Sequence, residues 1–251
     1  MKQAVIRVVL PLFKLLPYRL CRILFNLWLQ SVANKDPKTA MRQLLEVEDG
    51  LTELINFVAV GYDNGVHVKH RLTKYHDFFV DRLQPGELVL DIGCGIGALA
   101  HSMATKADAV VTGIDLNGEN IATASQFQHP NLTFIQGDAL QELPPQPFET
   151  IVISNVLEHI EHRVEFLKTL QEQVLPRRWL IRVPMINRDW LVPMRQELGM
   201  FYFSDPTHYT EYTQQTFEAE MQAADFTITH LQINWGEIWA EAQPQKRANR
   251  Q

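Results

Sequence analysis

The feature that most constrains this chain is the run from Leu88 to Ala100, LVLDIGCGIGALA. Leu88, Val89, Leu90 and Ile92 form a short apolar block after Pro85 and Gly86, the pattern of a central parallel strand buried on both faces. Gly93, Gly95 and Gly97 follow at alternate positions. Glycines here strip Cβ atoms from a strand-to-helix turn, so backbone can approach a ligand and the next helix can aim its N-terminus at it. A turn that cradles a dinucleotide pyrophosphate reads G-x-G-x-x-G. This one reads D-x-G-x-G-x-G. The carboxylate of Asp91 inside the turn repels a phosphate and suits a cation.

The segments that follow repeat a unit of strand and polar turn. Val110 to Asp115 predicts a second strand ending in an acid 22 residues after Gly93, where a ribose-binding carboxylate belongs in a Rossmann-like unit. Leu132 to Asp138 predicts a third, closing on Gly-Asp. Thr150 to Asn155 predicts a fourth, closing on Ser-Asn ahead of Glu158 and His159. Arg163 to Leu175 has helical spacing, and Trp179 to Val183 predicts a fifth strand stopped by Pro184. A long connection, 185–212, is expected to act as a lid or binding loop. Thr213 to Ala224 predicts a helix. Phe226 to Ile233 and Glu237 to Ala240 predict a hairpin turning at Trp235 and Gly236.

These four ordered motifs resemble those of the class I S-adenosylmethionine-dependent methyltransferases, whose cofactor carries a sulfonium and an ammonium but no phosphate. The resemblance implies an α/β fold: a Rossmann-like, seven-stranded, mostly parallel sheet with an antiparallel last strand, plus an N-terminal helical extension. It implies S-adenosyl-L-methionine as cofactor, with Asp91 and the backbone of Gly93 and Gly95 at the methionine end. Asp115 is then expected on the ribose hydroxyls, Asp138 with Ala139 at the adenine edge, and Asn155 beside the methyl group. Cys94, Gly97 and Leu116 complete the expected cofactor-binding set. Tyr75 and His76, in the helix before the first strand, are expected to cap it. An NAD(P)-dependent oxidoreductase and an inactive cofactor-binding module are the alternatives.

On the acceptor side, Glu158 and His159 and the stretch from Asp205 to Tyr212 hold the richest chemistry. His208 is expected to be the base, because an imidazole titrating near pH 6.5 can accept a hydroxyl proton at working pH; Glu158 and His159 accompany it. Ubiquinone-pathway O-methyltransferases and small-RNA 2′-O-methyltransferases carry a similar Glu-x-x-Glu-His, and the latter hold a divalent metal there. Asn155 stands where the first Glu belongs, so no metal is assigned. Arg188 and Arg195 read either as a clamp for an acidic acceptor or as surface charges. The stretches PMINRDWL and DPTH resemble methyltransferases of bacterial surface-polysaccharide biosynthesis. The expected acceptor is therefore a hydroxyl on a small molecule, a glycan or a lipid-linked intermediate.

Charge divides the chain. Residues 1–35 hold six of its 23 Lys and Arg and no acid, leaving 17 bases against 29 acids in the remainder. An acidic body argues against nucleic-acid partners. From Tyr18 to Val32, Arg19, Arg22, Asn26 and Gln30 recur at helical spacing on an otherwise apolar helix. Charges interrupt it too often for a transmembrane span. Residues 1–33 fit a helix lying in an anionic membrane surface, or one packed on the body or on a partner copy. Two cysteines imply no disulfide framework and a reducing, cytoplasmic setting, with membrane association through residues 1–33. The expected divisions are a helical extension over 1–60, a methyltransferase domain over 61–243 and a polar tail over 244–251.

Overall fold

The computed structural model describes residues 14–63 and 65–245. The expected tail thus lies largely outside the described residues, as do residues 1–13 of the basic N-terminus. The chain forms two compact units, Met1–Asn64 and Gly65–Gln251.

The first unit is a pair of helices, α1 (Tyr18–Ala33) and α2 (Pro37–Tyr62). The carboxylate of Asp36 accepts from the Lys38 and Thr39 amides at 3.2 and 3.1 Å, and Pro37 occupies the first helical position. Together these satisfy the free amides of the α2 N-terminus. Val32, Ala40 and Leu45 are buried in this unit.

The second unit begins with two short helices, α3 (Lys69–Thr73) and α4 (Tyr75–Val80), separated by Lys74 in the left-handed conformation. A seven-stranded sheet follows: β1 (Leu88–Ile92), β2 (Val110–Asp115), β3 (Leu132–Gln136), β4 (Thr150–Ser154), β5 (Arg178–Pro184), β6 (Phe226–Asn234) and β7 (Glu237–Pro244). Helices α5 (Ala98–Ala107), α6 (Gly118–Ala124), α7 (Arg163–Val174), α8 (Leu191–Glu197) and α9 (Gln214–Ala223) connect them. The order is β3-β2-β1-β4-β5-β7-β6. β1 to β5 are parallel, and β7 runs antiparallel between β5 and β6. This is the expected mostly parallel sheet with an antiparallel last strand.

Strand parity builds the two layers of core. Leu90, Ile92, Ile151, Ile153, Trp179, Ile181 and Val183 face one layer with Leu167, Leu170, Phe217 and Met221. The alternate residues Val89, Val152 and Leu180 face the other, with Phe78, Phe79, Leu99 and Met103. Both faces are buried, so the central strands read as unbroken apolar runs. Burying each such side chain contributes about 1.5–3 kcal/mol. The same parity turns Asp91, Ser154 and Arg182 toward the layer of α4 and α5. The sheet changes direction of winding between β1 and β4, where ligands settle at the carboxyl ends of strands in such sheets.

Candidate active site

Asp91 is the fourth residue of β1, buried, with its Oδ2 atom unpartnered. Burial, and then the charge of Asp115, push its carboxyl up to about 8. A buried carboxyl without a partner is costly unless something cationic meets it. The turn that follows separates the roles of its glycines. A Cβ on Gly93 would lie 2.4 Å from Val156, and one on Gly97 would lie 2.6 Å from Phe134. Those two glycines let the turn close on its own neighbours. Gly95, at φ +54°, faces open space and alone offers bare backbone to a ligand.

Asp115 at the end of β2 accepts from the Gly95 and Asn117 amides, both at 2.8 Å, so it also holds the turn's shape. Leu116 beside it is exposed, and Ala139 is buried in the core. Asp138 is used within its own loop, accepting from the Leu140 amide and the Gln141 side chain at 2.8 Å each. Cys94 is buried, and burial raises its thiol well above the ordinary range, which makes it a packing residue. Asn155 sits at φ +56° with its amide bonded to the Arg182 carbonyl at 2.8 Å and its Oδ1 buried and unpartnered.

Tyr75 and His76 diverge. Tyr75 lies beneath the guanidinium of Arg182, 3.7 Å from ring centre to Cζ, and its hydroxyl meets His70 at 3.0 Å. Both nitrogens of His76 are engaged, with Ser102 Oγ at 2.8 Å and His70 Nδ1 at 3.0 Å. Burial brings His76 down to about 3, so it is neutral. Through these bonds His76 ties α4 to α5. Arg182 was not singled out in the sequence. It is buried, ion-paired to Glu237 at 2.9 Å and within 3.3 Å of Ser154 Oγ. The signal was a single cation inside an apolar strand.

The acceptor-side residues converge. After β4, Leu157–His159 form one 3-10 turn that buries Glu158 completely, with both carboxyl oxygens unpartnered. Burial raises Glu158 to about 7, against the lowering influence of its backbone contact and of His208. The connection 185–212 is closed at its base. Tyr212 bridges Met185, donates its amide to the Pro184 carbonyl at 3.0 Å, and gives its hydroxyl to Glu220 at 2.6 Å. The Tyr209 amide donates to the Glu158 carbonyl at 2.8 Å. These bonds seat His208 with Nε2 4.0 Å from Glu158.

Glu211 completes the arrangement, and it too was not singled out. It accepts from His208 Nδ1 at 3.0 Å, from Ser204 and from Arg188. Burial pushes this carboxylate up, but the bonds from His208 and Ser204 and the charge of Arg188 leave it net below its ordinary value. An ionised carboxylate only accepts, so Nδ1 of His208 donates to Glu211 and Nε2 is the ring nitrogen turned toward Glu158. His159 is set the same way. Thr207 gives its hydroxyl proton to Asp205 at 2.6 Å, so it accepts from His159 Nδ1 at 2.8 Å. Arg188 also bonds the Met185 and Tyr202 carbonyls, each at 3.0 Å. It braces the loop through these contacts.

Strand order and winding together define a Rossmann-like α/β domain. The methyltransferase-domain family matches residues 65–231, so the chain belongs to that family. It is 32% identical over 128 residues to a ubiquinone biosynthesis O-methyltransferase of Paracidovorax citrulli, covering 48% of this chain and 53% of that protein. It is 28% identical over 177 residues to a 2-methyl-6-phytyl-1,4-hydroquinone methyltransferase of Synechocystis, covering 64% and 56%. The chain spans about half the length of the curated relatives it matches. Among solved structures it is similar to magnesium protoporphyrin IX methyltransferase of Synechocystis with bound SAH. The TM-score is 0.55 at 21% identity, over 69% of this chain and 84% of that one. A small RNA methyltransferase gives 0.56 at 15%, over 71% and 25%.

Proposed function

We propose that the chain transfers the methyl group of S-adenosylmethionine to a hydroxyl of a small-molecule acceptor. The reading is carried above all by Asp91, a buried carboxyl with an unpartnered oxygen beside the one turn glycine that faces open space. That pairing fits the ammonium at the methionine end, with Asp115 for the ribose hydroxyls and Asn155 close to the sulfonium side. Leu116, exposed beside Asp115, adds apolar surface there, and Tyr75 is proposed to close the pocket from under Arg182. When bound, the cofactor supplies an electrophilic methyl group; the protein has to orient the acceptor and take up its proton.

His208 Nε2 is the proton acceptor in this reading, oriented by Glu211, while His159 and Glu158 shape the floor beside it. The names of the relatives favour a hydroxylated quinone or hydroquinone-like acceptor. A glycan or lipid-linked hydroxyl asks for the same chemistry. Peripheral membrane contact through residues 1–33 is proposed from the charge of that segment. The test is calorimetry with S-adenosylhomocysteine, followed by labelled methyl transfer to hydroquinone, glycan and lipid extracts. Asp115→Ala should weaken the cofactor product at least about tenfold, since hydrogen bonds to charged groups are worth about 1.5–3 kcal/mol. His208→Ala should leave that affinity unchanged and lower turnover by about 10²–10⁴.

A second reading is favoured by one observation. The ligating atoms of Glu158, His159 and His208 all lie within 4.8 Å of one another, and both imidazoles present Nε2 with Nδ1 held from behind. That donor set would also suit a divalent cation. Loss of activity on chelation, restored by a divalent metal, would make His208 a ligand instead of a base.

A further inference from the structure

The helical unit carries an apolar surface. In α2, every residue from Leu51 to Val58 is exposed, and Leu54, Ile55, Phe57, Val58 and Tyr62 are between 62 and 79% exposed. Glu53 is the one charged side chain between Leu51 and Tyr62. At about 100° per residue, Leu51, Leu54, Ile55, Val58 and Tyr62 share one stripe, while Phe57 and Val60 fall outside it. A seam against a second helix is a narrow stripe; apolar side chains around most of the circumference suit lipid. In α1, Leu20, Ile23, Leu24 and Leu27 are likewise exposed. Arg19 and Arg22 belong to the same helix, Lys14 precedes it, and α1 holds no acid. Among the described residues no helix is long and apolar enough to cross a membrane. The twelve residues from Leu51 to Tyr62 span about 18 Å, against roughly 30 Å of hydrocarbon.

We propose that this unit docks on an anionic lipid monolayer, with the second half of α2 lying in the interface and the α1 cations meeting the headgroups. This extends the membrane contact proposed for residues 1–33 to a segment that carries no such charge signal, and it stands apart from the methyl-transfer reading. The test is flotation of the full chain with phosphatidylcholine vesicles, with and without phosphatidylglycerol. Binding is expected with phosphatidylglycerol and should weaken with salt. The double variant Leu54→Asp/Phe57→Asp should lower the bound fraction at least about tenfold. Arg19→Gln/Arg22→Gln should remove the preference for phosphatidylglycerol.

Helix content by far-ultraviolet circular dichroism, unchanged in all variants, reports that the helical unit folds, and affinity for S-adenosylhomocysteine reports on the Gly65–Gln251 unit. Absence of that affinity in the wild type would overturn the methyltransferase reading alone. Wild type that ignores both vesicles, or a double variant that floats like wild type, overturns the lipid proposal. So does a wild-type dimer in light scattering that the double variant converts to monomer without any vesicle binding.

Discussion

The surroundings of Asp91 decide its protonation. Asp91 is buried without a donor, so its proton is retained to about pH 8. Above the unfolded value of 3.8 the folded chain then holds a proton that the unfolded chain has lost. Stability contributed by the neutral carboxyl is therefore complete below about pH 4 and falls as pH rises toward 8. Asp91→Asn should flatten that decline in thermal unfolding measured across pH, while weakening S-adenosylhomocysteine. A ligand ammonium reverses the balance, so binding at pH 7 should expel close to one proton from Asp91. Titration in buffers of different ionisation enthalpy reads this directly; no buffer dependence would mean an ionised Asp91. His208 is held through Nδ1 by Glu211. Glu211→Ala should remove that orientation and lower turnover toward the His208→Ala level, with the cofactor product still bound.

At the scale of elements, periodicity was legible wherever one force dominated. The central strands, α7 and the Thr213 cap of α9 follow from apolar runs, helical spacing and turn chemistry. The final hairpin extends further than its apolar residues suggested, because the β5–β7 ladder takes in Glu241 and the β6–β7 ladder continues through Gln243. The connection 185–212 was expected to act as a lid or binding loop. Its base is fastened by Tyr212 and Glu211, bonds between residues far apart in sequence that no local pattern announces. One element end is strained: Leu175 closes α7 at φ +54°, exposed, where a side chain meets backbone. Leu175→Gly should stabilise the protein by roughly 0.5–1 kcal/mol in denaturant unfolding, the left-handed penalty less the extra entropy of the unfolded glycine.

For the whole molecule, every polar group gathered at the candidate site belongs to the Gly65–Gln251 unit. A chain starting at Gly65 should therefore bind S-adenosylhomocysteine within about twofold of the full chain and lose vesicle binding. Calorimetry and flotation on the same preparation check both halves. A large loss of affinity would show that the helical unit contributes to the site.

The sequence alone determined the sheet, the direction of its strands and the cation-favouring turn. Burial on both faces demands continuous apolar runs, and a strand-to-helix turn around a ligand demands glycine; both demands are written locally. It also singled out Glu158, His159 and His208, whose polar atoms the fold brings within 4.8 Å of one another. Only the tertiary structure decided that Gly95 alone is open, that His76 is spent on Ser102 and His70, and that Arg188 braces a loop. It alone brought Arg182 over Tyr75 and Glu211 behind His208. Those outcomes depend on which side chains meet across strands and loops, and a charge buried by a distant partner looks the same in sequence as one left in water.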